Sequence, residues 1–144
     1  AGYTGRVDMG DLTKNISQHE LDCKCGKCDV TIQYHEPVIQ CWQKACDYFA
    51  NKYGVDRVSL VITSGARCYE YNRIPESEGG PGSSDGSQHP RCSAIDGKIF
   101  IGKTQVPPKD VFDYFDSQYP DACGIKAYNS FTHFDTRASK WRGK

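Results

Sequence analysis

The sequence lacks the features that mark several large classes of protein. It has no apolar run near the roughly 18 residues that a membrane-spanning helix needs. Its formal net charge is zero, because 18 Lys+Arg residues balance 18 Asp+Glu residues. A nucleic-acid-binding domain usually shows a basic excess or a basic stripe. We therefore expect neither a membrane protein nor a nucleic-acid binder.

The chain is also too short for two ordinary domains. Its 144 residues suit one domain, which at this size buries roughly 70% of its unfolded surface. Charged residues at 25% and hydrophobic residues at 38% are near globular norms and argue against wholesale disorder. We predict a single small domain over residues 16–144, acting as a monomer and preceded by an extended polar arm at residues 1–15.

Cysteine, in contrast, is abundant, with eight residues in the chain. An even and high number indicates either a disulfide framework in an oxidising compartment or a structural zinc site. Cys23, Cys25 and Cys28 lie close together, but no second cysteine pair follows at zinc-finger spacing. We favour a disulfide-rich, secreted or extracellular protein with at least three disulfides, and leave open whether this cysteine cluster binds metal.

Hydrophobic periodicity predicts two helices and a small sheet. The helices are expected at residues 36–53 and 107–119. Strands are expected at residues 58–63 and 94–100, and a terminal hairpin pairs residues 124–128 with 131–135. A loop rich in Gly and Ser covers residues 71–88. This order of elements predicts an α+β fold with an antiparallel sheet and flanking helices.

Two of the four histidines lie in surroundings that suggest chemistry. His89 follows the Gly/Ser loop, and Asp96 comes soon after it at the start of a strand. His133 and Asp135 are two residues apart on the last strand, so their side chains share one face. Two histidines and a carboxylate form a common zinc site with an open position for water. On spacing alone, however, a histidine with an ordinary structural role is more common than a ligand.

A series of ordered segments resembles the zinc D-Ala-D-Ala carboxypeptidase and L-alanyl-D-glutamate endopeptidase superfamily, whose fold is shared with the hedgehog signalling domain. The similarity covers about residues 16–141. The segments that carry it are Ser17-x-His19-Glu20, Ile62-Thr-Ser-Gly-Ala-Arg67, Asn72, Gly79-Gly80, Ser87-Gln-His89, Ala94-Ile-Asp96, Gly124-Ile-Lys-Ala-Tyr128, His133-Phe-Asp135-Thr-Arg137 and Trp141.

The resemblance implies roles for particular residues. His89, Asp96 and His133 would bind zinc. Arg67 would contact the substrate carbonyl or carboxylate, where a guanidinium can stabilise an oxyanion. Ser87 would form hydrogen bonds within the site. Residues 16–144 would then be a zinc peptidase domain.

The sequence departs from the family pattern at several positions. Many relatives carry a glutamate general base three residues before the last histidine ligand, where this chain has Ser130. Asp135 is the substitute candidate for the base, although it could instead orient an imidazole. Cys92 replaces a usual glycine and suggests a disulfide, with Cys123 as one partner. The loop at residues 72–87 is longer than usual.

The leading hypothesis from the sequence is a zinc peptidase that cleaves peptidoglycan stem peptides, as a carboxypeptidase or an endopeptidase, outside the cytoplasm. A periplasmic or phage-associated enzyme would fit equally. The alternative is a non-enzymatic, hedgehog-like zinc module that binds a partner, and the serine at position 130 favours it. A disulfide-rich domain without metal would require both histidines to be incidental.

Overall fold

The computed structural model describes residues 12–25, 36–65, 67, 72–83, 88–91 and 93–143. Two α-helices lie wholly within them, α1 (Glu36–Lys52) and α2 (Pro108–Gln118). The six strands are β1 (Ser59–Ser64), β2 (Ala94–Ile101), β3 (Thr104–Gln105), β4 (Gly124–Ala127), β5 (Thr132–Asp135) and β6 (Trp141–Arg142). In this part of the chain, no helix is long and apolar enough to cross a membrane.

The first helix forms as its periodicity predicts. Val38, Trp42, Ala45 and Phe49 are buried at three- to four-residue steps, so one face of α1 packs against the sheet. Gly54 follows the helix with a φ of +67°, a left-handed conformation that glycine adopts without steric cost. The Val55 amide then donates to the Ala50 carbonyl at 2.9 Å, which ends the helix.

The strands form one sheet in the order β1-β2-β5-β4-β6, and β3 pairs with β2. The pairs β1–β2, β2–β3, β2–β5 and β4–β5 are antiparallel, which confirms the α+β class and the terminal hairpin. The pair β4–β6 is parallel. The sheet is therefore mixed: the predicted antiparallel pairing holds for these four pairs, and the short strand β6 adds a parallel pair at the edge.

The two faces of the sheet differ in chemistry. On one face, Phe134 stacks on Phe115 of α2 with ring centroids 4.0 Å apart, and Trp42 of α1 meets Phe115 edge-on at 5.0 Å. Strand side chains alternate between faces. His133 and Asp135, which flank Phe134 in the chain, therefore point to the opposite face. That face carries the polar residues discussed below.

The N-terminal residues that the structure describes pack against the domain. The Asn15 side chain donates to the Val58 carbonyl at 2.8 Å, and its backbone amide donates to Gln43 of α1 at 2.9 Å. Ile16 is fully buried. The predicted boundary at residue 15 stays a prediction, since residues 1–11 lie outside the described residues.

Three described cysteines, Cys41, Cys46 and Cys123, are free thiols. The other five of the eight could form two disulfides at most. The expected three disulfides and the suggested Cys92–Cys123 pair are therefore not confirmed. Cys28, Cys68 and Cys92 lie outside the described residues.

Candidate metal centre

The polar face of the sheet brings together the three side chains that the resemblance implies as ligands. Asp96 of β2 lies directly opposite His133 of β5 in the strand register. His89 comes from a 3-10 helix, His89–Arg91, that precedes β2. Each of the three is at most 8% exposed, and one potential ligand atom from each lies within 4.8 Å of the others.

The tautomer of His89 is determined by a backbone carbonyl. Its Nδ1 lies 2.6 Å from the Gly65 carbonyl oxygen, which can only accept, so Nδ1 carries the proton. Nε2 is the nitrogen left to face the centre, and it lies 3.2 Å from Asp96 Oδ2. Gly65 must be a glycine here, because a Cβ would stand 2.7 Å from Leu21 Cα. The close approach of these two backbones positions the His89 ring.

His133 lies between two carboxylates. Its Nδ1 is 2.8 Å from Asp96 Oδ1, and its Nε2 is 2.6 Å from Asp135 Oδ2. Burial alone would lower the pKa of His133, but hydrogen bonds to Asp135 and Asp96 outweigh it and raise the pKa to about 8. If Nε2 donates to Asp135, Nδ1 is the nitrogen that faces Asp96 and His89.

Asp135 is fully buried and has no oxygen left for a substrate. Oδ1 accepts hydrogen bonds from the Gly124 amide and from the Arg137 amide and Nε. Oδ2 accepts from His133 Nε2 and from Arg137 Nη2. Burial would raise the pKa of Asp135, but hydrogen bonds from His133 and Arg137 hold it well below its usual range. These contacts favour the orienting role over the general-base role, which requires an accessible basic oxygen.

Arg67 approaches Asp96 from the β1 side of the site. Its Nη2 lies 3.5 Å from Asp96 Oδ2, and its Nε donates to Ser64 Oγ at 2.9 Å. Nη1 donates to Asn72 Oδ1 and to Ser83 Oγ, each at 3.1 Å. The register of β1 shifts between Ile62 and Ser64. This irregularity places Ser64 opposite Asp96, next to the guanidinium.

The donor set fits a divalent metal ion. Neutral imidazole nitrogens and a carboxylate oxygen are ligands that zinc and similar ions accept. Burial raises the pKa of Asp96, but the charges and hydrogen bonds of His89 and His133 hold it well below its usual range, so the carboxylate is ionised. The nitrogen of each imidazole that faces away from the centre has an acceptor, which is the usual outer arrangement of a metal-binding histidine.

The structure thus brings together five predicted site residues, namely His89, Asp96, His133, Arg67 and Asp135. Ser87 lies outside the described residues. Sequence reasoning missed Gly65, Ser83 and the contact of Arg137 with Asp135. Gly65 and Arg137 had a usable signal, because both stand in segments that carry the resemblance.

The comparisons with known proteins agree with this geometry. A model of the family described as peptidase M15 matches residues 14–135, a range that includes all three candidate ligands as well as Arg67 and Asp135. Searches of curated proteins and of solved structures gave no match. Since the match spans most of the chain and ends at the strand that carries His133, the chain belongs to the peptidase M15 family.

Proposed function

We propose that this chain is a zinc peptidase that hydrolyses peptide bonds in the stem peptides of peptidoglycan. The observation that carries the proposal is the group of His89, Asp96 and His133, with ligand atoms within 4.8 Å of one another. Both imidazoles are held by an acceptor on the nitrogen that faces away from this centre. A merely structural pair of histidines does not need that arrangement.

A bound zinc ion would polarise the scissile carbonyl and lower the pKa of a water molecule. The protein residues then supply position and charge. Gly65 and Asp135 each hold one nitrogen of an imidazole, so that the other nitrogen of each ring faces the same point. Arg67, held by Ser64 and Asn72, presents a permanent positive charge beside Asp96. There it can bind a substrate carboxylate or stabilise the oxyanion of the transition state.

The substrate and location follow the resemblance to cell-wall peptidases. We propose that the enzyme acts outside the cytoplasm, in the secreted, periplasmic or phage-associated setting where peptidoglycan is accessible. The proposal includes both carboxypeptidase and endopeptidase activity, because the resembling superfamily contains enzymes of both kinds.

A second candidate function is a non-enzymatic zinc module that binds a partner. Ser130 stands where many relatives carry a glutamate, and its backbone carbonyl accepts a hydrogen bond from Gln105 Nε2 at 2.8 Å. The carboxylate next along the chain, Asp135, has both oxygens occupied. Within the described residues, neither position offers an accessible base.

Zinc analysis and peptidoglycan digestion distinguish the two candidates. We expect one zinc per chain and release of stem-peptide fragments identified by mass. His133→Ala should lose both, because a site with three protein ligands rarely keeps its ion after losing one. His19→Ala is the matched control, since His19 is exposed. Zinc without digestion would support the binding module, and full zinc in His133→Ala would overturn the site.

A further inference from the structure

A cation lies beside the metal centre on the side opposite Arg67. Lys126 of β4 pairs directly with His133 in the strand register, so the two side chains are neighbours on the polar face of the sheet. Arg67 approaches the same centre from β1, through Asp96. The centre therefore has one positive side chain on each flank.

The side chain of Lys126 is held in place by its neighbours. A Cβ on Gly143 would overlap Lys126 Cδ and would stand 2.8 Å from Lys126 Cβ. The lysine stem thus packs closely over the Gly143 backbone, in the space that a side chain there would fill. At the other end, Lys126 Nζ lies 4.4 Å from the centre of the Tyr128 ring, a favourable cation–π distance.

Aromatic rings lie next to Lys126 and His133. Tyr128 stacks on Phe131 with centroids 4.4 Å apart, and Trp141 meets the His133 ring edge-on at 5.9 Å. Tyr128 is 39% exposed and Trp141 is 37% exposed. We define Lys126, Tyr128, Phe131 and Trp141 as the β4 rim. It is an apolar surface with one charged group, next to the ligand His133.

Lys126, the one charged residue of the β4 rim, has no acidic partner among the described residues. Arg137 also lies over the Trp141 ring, at 4.8 Å, but its charge is paired with Asp135. In the part of the chain that the structure describes, no carboxylate forms an ion pair with Lys126. A positioned ammonium without a counter-charge favours an anionic ligand.

We propose that Lys126 is a specificity-determining residue that binds a substrate carboxylate, on the side of the scissile bond opposite Arg67. The β4 rim would contact the apolar part of the same residue of the peptide. This inference rests on the proposed function, because it assumes that a peptide lies across the centre. It narrows the substrate class to peptides with a free carboxylate next to the bond that is cut.

The test uses two stem peptides that differ only in that carboxylate, which is free in one and amidated in the other. Steady-state kinetics of the zinc-loaded wild type should give a KM roughly tenfold lower for the free acid, as expected for one charge-assisted hydrogen bond. Lys126→Met keeps the stem and removes the charge, so it should abolish this preference while changing kcat less than twofold. Lys103→Met, at an exposed turn between β2 and β3, should behave as the wild type.

A binding measurement separates this inference from the proposed function. Rapid mixing with each peptide, followed by tryptophan fluorescence before turnover, reports on Trp141 at the rim. If the wild type prefers the acid in binding but cleaves neither peptide, the proposed function fails and the role of Lys126 stands. If Lys126→Met keeps the preference, or loses affinity equally for both peptides, the role of Lys126 is overturned.

Discussion

Replacing Asp135 by asparagine separates the two roles that the sequence left open for this residue. The carboxylate accepts five hydrogen bonds, from His133, Gly124 and Arg137. The asparagine side chain has one acceptor oxygen and one NH₂ group. The NH₂ group would replace an acceptor and would face N–H donors, which would then lose their hydrogen bonds. The amide can donate to His133 Nε2 only if the imidazole proton moves to Nδ1, the nitrogen that faces Asp96.

The orienting role therefore predicts a loss of metal affinity. Removing an outer carboxylate of this kind typically costs 10–100-fold in affinity, which is about 1.4–2.7 kcal/mol. Activity in Asp135→Asn should fall in parallel and recover as zinc is raised, with kcat restored at saturation. The general-base role predicts full zinc affinity and a kcat lower by roughly 10²–10⁴-fold.

Competition with a chromogenic chelator measures zinc affinity, and stem-peptide hydrolysis at increasing zinc measures activity. Asp116→Asn is the matched control, because Asp116 also pairs with an arginine at 2.8 Å but is 46% exposed and belongs to α2, which packs on the opposite face of the sheet. Asp116→Asn should change neither the zinc affinity nor the rate of stem-peptide hydrolysis. Unchanged zinc affinity together with a kcat that zinc does not restore would refute the orienting role.

Three further predictions follow from other contacts. Gly65→Ala should weaken zinc binding, because the new Cβ would displace the Leu21 backbone and move the carbonyl that holds His89. The same chelator competition measures this affinity, and an unaltered affinity would contradict the prediction. Chelation should lower the melting temperature of the wild type but not of His133→Ala, since binding to the folded state alone stabilises by mass action; equal shifts in both would count against the site. Burial raises the pKa of Cys46 to about 12, so the native state resists its ionisation while the unfolded thiol ionises near 9. Stability should then fall by about 1.4 kcal/mol between pH 8 and pH 10, and this part of the loss should be absent from denaturation curves of Cys46→Ala.

The main elements of the fold could be predicted from local sequence. Helix α1 and the hairpin of β4 and β5 have strong periodicity and clear end signals, so their bounds agree within a few residues. Strand β6 could not be predicted. It has two residues, and it exists because the Trp141 and Gly143 amides donate to the carbonyls of Cys123 and Ile125. Such pairing depends on distant chain segments rather than on local propensity.

The candidate site was predictable in part. The two-residue spacing placed His133 and Asp135 on one face, and the structure has them there. Spacing could not bring Asp96 and His89 to His133, because that requires the register of β2 against β5 and the contact of His89 with Gly65. The resemblance supplied this grouping. Nor could spacing show that Arg137 occupies the Asp135 carboxylate, since that depends on how the chain turns after β5.

Strand β6 determines how much of the chain has to be transferred together if this domain is moved into another protein. The family match ends at residue 135, but Arg142 donates to the carbonyls of Tyr119 and Cys123 at 2.7 Å, and Trp141 covers the guanidinium of Arg137. A gene fusion that transplanted residues 14–135 alone would carry every candidate ligand. It would leave behind the strand that pairs with β4 and the arginine that holds Asp135. A fusion that is to keep these contacts must therefore include the chain through residue 143.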